Sequence, residues 1–150
     1  TVVDVQKKNY TVTAVSETLK RTNLDALKIN DVMNLERGMK IGDRIDGHMV
    51  QGHVDTTAVC RSVKEARGSY LFSFELNKKL CADGKYLIVE KGSVCVNGVS
   101  LTVVETKQYF FSVAIIPYTF QHTNFAHIKT GSVVNIEFDI LGKYVLKMLL

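Results

Sequence analysis

Ser100, Thr102, Cys95 and Lys91 are the residues whose types and spacing first suggest chemistry. Asn97-Gly98 between two β-branched runs is a strong signal for a two-residue type I′ hairpin turn. Across such a turn Val96 faces Val99, Cys95 faces Ser100, Val94 faces Leu101, and Ser93 faces Thr102. Val94, Val96, Val99, Leu101 and Val103 then share an apolar face. Cys95, Ser100 and Thr102 share the other, with Lys91 just beyond the strand end. That face is either a solvated surface or a small polar site with two hydroxyls and one ammonium. A second candidate is Gly47-His48-Met49-Val50-Gln51-Gly52-His53-Val54-Asp55. Glycines let a backbone approach a ligand closely, and a histidine that titrates near neutrality can move a proton. The histidine pairs His48/His53 and His122/His127 are each spaced by five, which puts their members on opposite faces of a strand, and no Cys-x-x-Cys is present to complete a zinc-ligand pattern. No metal site is expected. Cys60, Cys81 and Cys95 are odd in number and lack a Cys-x-x-Cys, so the sequence predicts free thiols in a reducing compartment.

The elements that must hold these residues emerge from a self-comparison. At an offset of 101 the first 38 residues align without a gap on Thr102–Asp139, with 11 identities. Among them are Thr1-Val2-Val3 on Thr102-Val103-Val104, Thr18 on Thr119, Thr22-Asn23 on Thr123-Asn124, and Asn34 on Asn135. Each copy is therefore expected to be a small domain. Residues 1–46 read as the latter part of a first copy plus a linker from Met39 to Asp46. Residues 47–139 read as a whole second copy, and 140–150 as a C-terminal helix. A counterpart of Gly47–Leu101, roughly 55 residues, is expected upstream of Thr1. Tyr109–Ile116 is a strand halted by Pro117, the only proline. Val133–Phe138 is another, matched by Val32–Leu35. Short helices are expected near Glu17–Thr22, with Ser16 as N-cap, and near Tyr118–Thr123. Many short strands joined by hairpins predict an all-β fold of small closed antiparallel barrels. The tail Leu141–Leu150 is a one-sided helix that lies back on its own barrel or meets other copies of the chain.

Composition narrows the function classes. The chain has 150 residues, 46% of them apolar and 23% charged, which is a globular rather than a disordered composition. Its net charge of +4 comes without a basic block. The one aromatic-rich strand, Tyr109-Phe110-Phe111, has only Lys107 beside it, so no nucleic-acid face is expected. No run of about 18 apolar residues exists to cross a membrane, and Thr1-Val2-Val3-Asp4 does not open a signal peptide. A cytoplasmic location is expected.

Four stretches together resemble riboflavin synthase. They are Gly47-His48-x-Val50-x-Gly52-His53-Val54-Asp55, then Lys91-Gly92-Ser93-x-x-x-Asn97-Gly98-Val99-Ser100-Leu101-Thr102-Val103, then Ile116-Pro117-x-Thr119-x-x-His122-Thr123, and Val134-Asn135-Ile136-Glu137-x-Asp139. Ser16-Glu17-Thr18-Leu19 and Val32-x-Asn34-x-Glu36-Arg37 extend the resemblance to the first copy. It implies two similar six-stranded antiparallel, Greek-key-like barrels, the first only partly present here, and a C-terminal helix that assembles a homotrimer. It implies a cofactor-free transferase acting in the last step of riboflavin biosynthesis. Two molecules of 6,7-dimethyl-8-ribityllumazine would dismutate to riboflavin and 5-amino-6-ribitylamino-pyrimidinedione, in sites between subunits. A lumazine- or flavin-binding protein without catalysis is the alternative that the same repeat allows.

Carried over position by position, the resemblance implies that Ser100 and Thr102 bind the heterocycle and assist the nucleophilic step. It makes His53 a candidate for proton transfer and adds Lys91 and Asp139 to the catalytic set. Gly52, His53, Val54, Lys91, Ser100, Leu101, Thr102, Ala114, Ile116 and Thr119 would bind substrate. Thr1, Thr13, Val15 and Thr18 would do so in the first copy. Asn97 stands where some members of the family have Asp, and suits the turn equally well. The family's N-terminal Met-Phe-Thr-Gly segment is not in the sequence.

Overall fold

The computed structural model describes residues 1–82 and 87–149. Its strands are β1 (Val2–Val5), β2 (Tyr10–Val12), β3 (Thr56–Ala66), β4 (Ser69–Leu76), β5 (Ser93–Val96), β6 (Val99–Lys107), β7 (Phe110–Ile115) and β8 (Val133–Phe138). Its helices are α1 (Ser16–Arg21), α2 (Lys78–Ala82), α3 (Pro117–His122) and α4 (Ile140–Leu149). Strands β3 to β8 close one antiparallel barrel in the order β3-β4-β7-β6-β5-β8, and β8 returns to β3. Alternate residues point inward: Phe72, Phe74 and Leu76 on β4, Phe111, Val113 and Ile115 on β7, Val134, Ile136 and Phe138 on β8. Each such side chain is worth about 1.5–3 kcal/mol on burial, so the barrel stands on its own apolar interior. Phe125, from the 3₁₀ turn Asn124–His127, plugs it and meets Phe72 edge-on at 5.1 Å.

The β5–β6 hairpin has the expected register, Val96↔Val99 through Ser93↔Thr102. Asn97 and Gly98 have φ of 49° and 85°, the left-handed pair that a type I′ turn demands. The expected polar face is split, however. Cys95 is buried, Ser100 half-buried and Thr102 exposed. Residues from both copies, among them Val32, Asn34, Val50 and Val54, enclose with Cys95 a cavity of about 220 Å³.

Residues 1–31 repeat the geometry of 102–132 closely. β1 pairs with β2 as Val2↔Val12, Asp4↔Thr11 and Val5↔Tyr10, and β6 pairs with β7 as Val103↔Val113, Glu105↔Ser112 and Thr106↔Phe111. Both ladders carry a bulge at the same place, between Val2 and Asp4 and between Val103 and Glu105. Helix α1 maps onto α3, and in each the threonine after the helix donates to a carbonyl one turn back: Thr22 Oγ1 to Thr18 O and Thr123 Oγ1 to Thr119 O, both 2.7 Å.

Two expectations need correction. Ser16 is the first helical residue rather than the N-cap; Val15, in extended conformation, holds the cap position without a side-chain bond. Val32–Leu35 forms no strand. Its counterpart β8 is held by β3 and β5, and among the described residues no strand lies beside Val32–Leu35 to pair with it. Asn34 packs on the other copy instead. Its Nδ2 donates to Asn97 O (2.8 Å), and its Oδ1 accepts the Asn124 N–H (2.7 Å). The reciprocal bond, Asn23 N–H to Asn135 Oδ1, is also 2.7 Å. Since Asn23 and Asn34 are the repeat equivalents of Asn124 and Asn135, the two copies exchange the same contact, as in an isologous interface.

The expected tail helix is α4, capped by Asp139, whose Oδ1 accepts the Leu141 N–H at 3.0 Å. Leu150, counted in that helix from the sequence, lies outside the described residues, as do residues 83–86 of the second copy. Lys143 ties α4 to the barrel through a 2.7 Å ion pair with Asp55. Leu141, Tyr144, Val145, Met148 and Leu149 stay exposed. None of the helices in the described residues is long and apolar enough to cross a membrane.

Candidate active site

Strand β6 offers its hydroxyls to two different surroundings. Ser100 lies under the start of the Gly47–Asp55 loop. Its Oγ accepts the His48 backbone N–H (3.2 Å) and stands 2.7 Å from His48 Nδ1. Such an approach requires glycine at 47: a Cβ there would lie 2.6 Å from Ser100 Oγ. Among the described residues the same ring's Nε2, which is buried, has no hydrogen-bond partner.

Thr102 is exposed on the outer wall. Val103 pairs with Val113 inside the barrel, so Thr102 and Ala114, one step further along, lie across β6 and β7 on the outside. Ala114 pairs in turn with Leu71 of β4, and Thr102 with Ser93 of β5. This wall continues over exposed Ile116 and half-buried Thr119 at the start of α3. Stacking of Phe120 on Tyr70, 3.8 Å between ring centres, fixes α3 there. Lys91 is exposed beside the wall. Its backbone, with φ of 61°, bonds to Val103 O at 3.0 Å, and Gly92 O accepts the Val103 N–H. Leu101 points into the barrel with little exposure, so its contribution to any site is through the strand rather than the side chain.

The loop carrying His53 is stapled to β8 at two points. The Gln51 N–H donates to Glu137 Oε1 (2.7 Å), and Asp55 exchanges bonds with Ile136 O (2.9 Å) and Phe138 N–H (2.8 Å). His53 is exposed at the middle of that clamped segment, next to Gly52, whose φ of 76° only glycine adopts readily. Val54 turns toward the cavity between the copies. Asp139 sits at the end of β8, its carboxylate engaged in capping α4. The first-copy positions Thr1, Thr13, Val15 and Thr18 occupy the same places on the β1–β2 hairpin and α1. Thr1 and Thr13 exchange both backbone bonds, at 2.9 and 3.1 Å.

The structure thus joins Ser100 to His48, sets Thr102, Ala114, Ile116, Thr119 and Lys91 along one outer wall, and puts His53 and Asp139 at the β8 side. Sequence reasoning noted His48 without assigning it to the site. The doubled Gly-His at 47–48 and 52–53 was the signal, because glycine beside histidine marks a backbone in close approach. The asparagine exchange was likewise hidden, although Asn23 and Asn34 are among the repeat's identities. Burial drives the Cys95 thiol up to about 12, with the Glu137 and Glu36 carboxylates adding to the effect, so it is no nucleophile at neutral pH.

Residues 1–38 and 51–139 match the lumazine binding domain family. The whole chain is 43% identical to a riboflavin synthase of Actinobacillus pleuropneumoniae, covering 68% of that protein. It is 37% identical over 149 residues to one of Bacillus subtilis, covering 99% of this chain and 67% of the relative. It is 37% identical over 148 residues to one of Schizosaccharomyces pombe, covering 99% and 70%. A solved structure of LumP complexed with 6,7-dimethyl-8-(1'-D-ribityl) lumazine superposes with a TM-score of 0.77 at 18% identity, over 91% of this chain and 71% of that one. At that identity the likeness speaks for the fold.

Proposed function

The chain belongs to the riboflavin synthase family of lumazine-binding-domain proteins, and from that premise we propose that it works as a transferase on 6,7-dimethyl-8-ribityllumazine. One lumazine gives up a four-carbon unit to a second, which becomes riboflavin, and the donor leaves as 5-amino-6-ribitylamino-pyrimidinedione. The observation that carries this reading is the duplicated outer wall. The reaction needs two identical flat molecules, and Thr102, Ala114, Ile116 and Thr119 recur in place as Thr1, Thr13, Val15 and Thr18. Holding two such rings face to face can by itself lower a bimolecular barrier by about 7–11 kcal/mol.

In this reading the chain is the latter part of one lumazine-binding repeat (1–46), a whole second repeat (47–139) and an assembly helix (140–150). Thr102 and Lys91 hold the polar edge and ribityl chain of one lumazine against the wall formed by Ala114, Ile116 and Thr119. Ser100, Gly52 and Val54 complete the binding surface. The chemistry asks for a proton taken from the acidic C7 methyl of one ring and a nucleophile added at C7 of the other. His53, exposed on a loop clamped at Gln51 and Asp55, carries the proton in this reading. Asp139, at the end of β8, joins it in the catalytic set. A homotrimer pairs the second-copy wall of one subunit with the first-copy wall of the next, and α4 supplies apolar surface for that assembly.

The test is to add the lumazine and follow the absorbance of riboflavin, one formed for every two lumazines consumed. His53→Ala should slow turnover by about 10²–10⁴-fold while binding changes little. Tight binding of lumazine with no riboflavin formed would assign the chain to lumazine carriage instead.

A further inference from the structure

Ser100 and His48 look at first like an activated hydroxyl and its base, but their hydrogen bonds run the other way. A serine oxygen has one proton and two lone pairs. The His48 backbone N–H, 3.2 Å away, fills one lone pair whatever the ring does. Two arrangements then remain for the 2.7 Å contact with Nδ1. If Ser100 donates to Nδ1, the imidazole proton must sit on Nε2, a buried atom with no acceptor among the described residues. If Nδ1–H donates to Ser100, Nε2 is left with only a bare lone pair. A buried N–H without an acceptor is the less tolerable of the two, as the rarity of orphaned N–H groups in folded proteins shows.

We infer that His48 carries its proton on Nδ1 and sends both of its N–H groups into Ser100 Oγ, making the Ser100 hydroxyl a fixed outward hydrogen-bond donor. His48 is then a positioning residue, and Ser100 is a donor to the ligand rather than a nucleophile, since a protonated Nδ1 cannot take its proton. Gly47 is what admits the loop to this distance. The identity of the ligand rests on the proposed function; the direction of the hydrogen bonds does not. A lumazine edge carries carbonyl oxygens and imine-type ring nitrogens that accept hydrogen bonds, which is what such a donor recognises.

Nitrogen-15 NMR of histidine-labelled chain, without ligand and at neutral pH, decides the tautomer. The expected result is a proton bonded to His48 Nδ1, with its shift moved in Ser100→Ala. A proton on Nε2 would overturn the inference. Lumazine titration then reads the consequence. Ser100→Ala and His48→Leu should each weaken binding about tenfold, the size of one lost hydrogen bond. His48→Asn, which restores a side-chain N–H donor, should recover most of the loss. Equal affinity in Ser100→Ala and the parent chain would remove Ser100 as a donor to lumazine. Failure of the parent chain to bind lumazine at all would sink the proposed function and the ligand assigned to Ser100, while the tautomer measurement would still decide the role of His48.

Discussion

At Gly47 the backbone runs so close to β6 that a methyl group would meet Ser100 Oγ at 2.6 Å and its Cβ at 2.9 Å. Gly47→Ala must therefore lift the loop or displace Ser100. Overpacking of this kind costs about 1–3 kcal/mol. Urea unfolding should show that loss, and lumazine affinity should fall with it. Cys95 allows a second prediction at the same scale. The unfolded chain releases the thiol proton near 9.0, while the folded chain keeps it until about 12. Across that window the unfolded state binds fewer protons, so stability falls with rising pH. The contribution is complete below 9.0 and is lost as pH climbs through the folded value. Comparing the chain with Cys95→Ala at a pH below 9.0 and at one midway to 12 isolates it. The parent chain should lose stability relative to the variant; a gap independent of pH would contradict the shift.

Among the elements, the asparagine exchange is the contact most open to test. Asn34 satisfies Asn124 N–H and Asn97 O at once. Asn34→Ala leaves both polar groups without that partner, at a cost of about 1–3 kcal/mol. A thermal unfolding midpoint unchanged from the parent would show that water replaces the contact without loss. This exchange also marks the limit of what could be read from the sequence. The hairpin register at Asn97-Gly98, the strand ending at Pro117 and the two short helices all follow from local chemistry, and each was legible. Val32–Leu35 was not, because a strand depends on its ladder partners and the pattern of its own residues says nothing about whether they are present. The bond between His48 and Ser100 joins residues 52 positions apart. No periodicity encodes such a contact; only the doubled Gly-His hinted at it.

For the molecule as a whole, the proposed trimer depends on α4. Its capping by Asp139 and its ion pair from Lys143 to Asp55 fix the direction in which it leaves the barrel. Its exposed Leu141, Tyr144, Val145, Met148 and Leu149 form more apolar surface than a free helix usually shows. If α4 holds the proposed trimer, truncation after Leu141, followed by light scattering, should convert it to smaller species. A particle mass reduced only by the lost tails would count against assembly through this helix.

The bulge shared by β1 and β6 has a consequence for how this protein can change. The connections beyond it differ: residues 6–9 separate β1 from β2, whereas only Gln108 and Tyr109 separate β6 from β7, and Gln108 has φ of 53° while Lys7, its repeat equivalent, has no positive φ. Yet Thr1 and Thr102 keep the same facing, because both ladders pair in the equivalent register and carry the extra residue at the same place. Were one bulge residue lost, every side chain on β6 between it and Thr102 would turn to the opposite face, and Thr102 would leave the outer wall for the barrel interior.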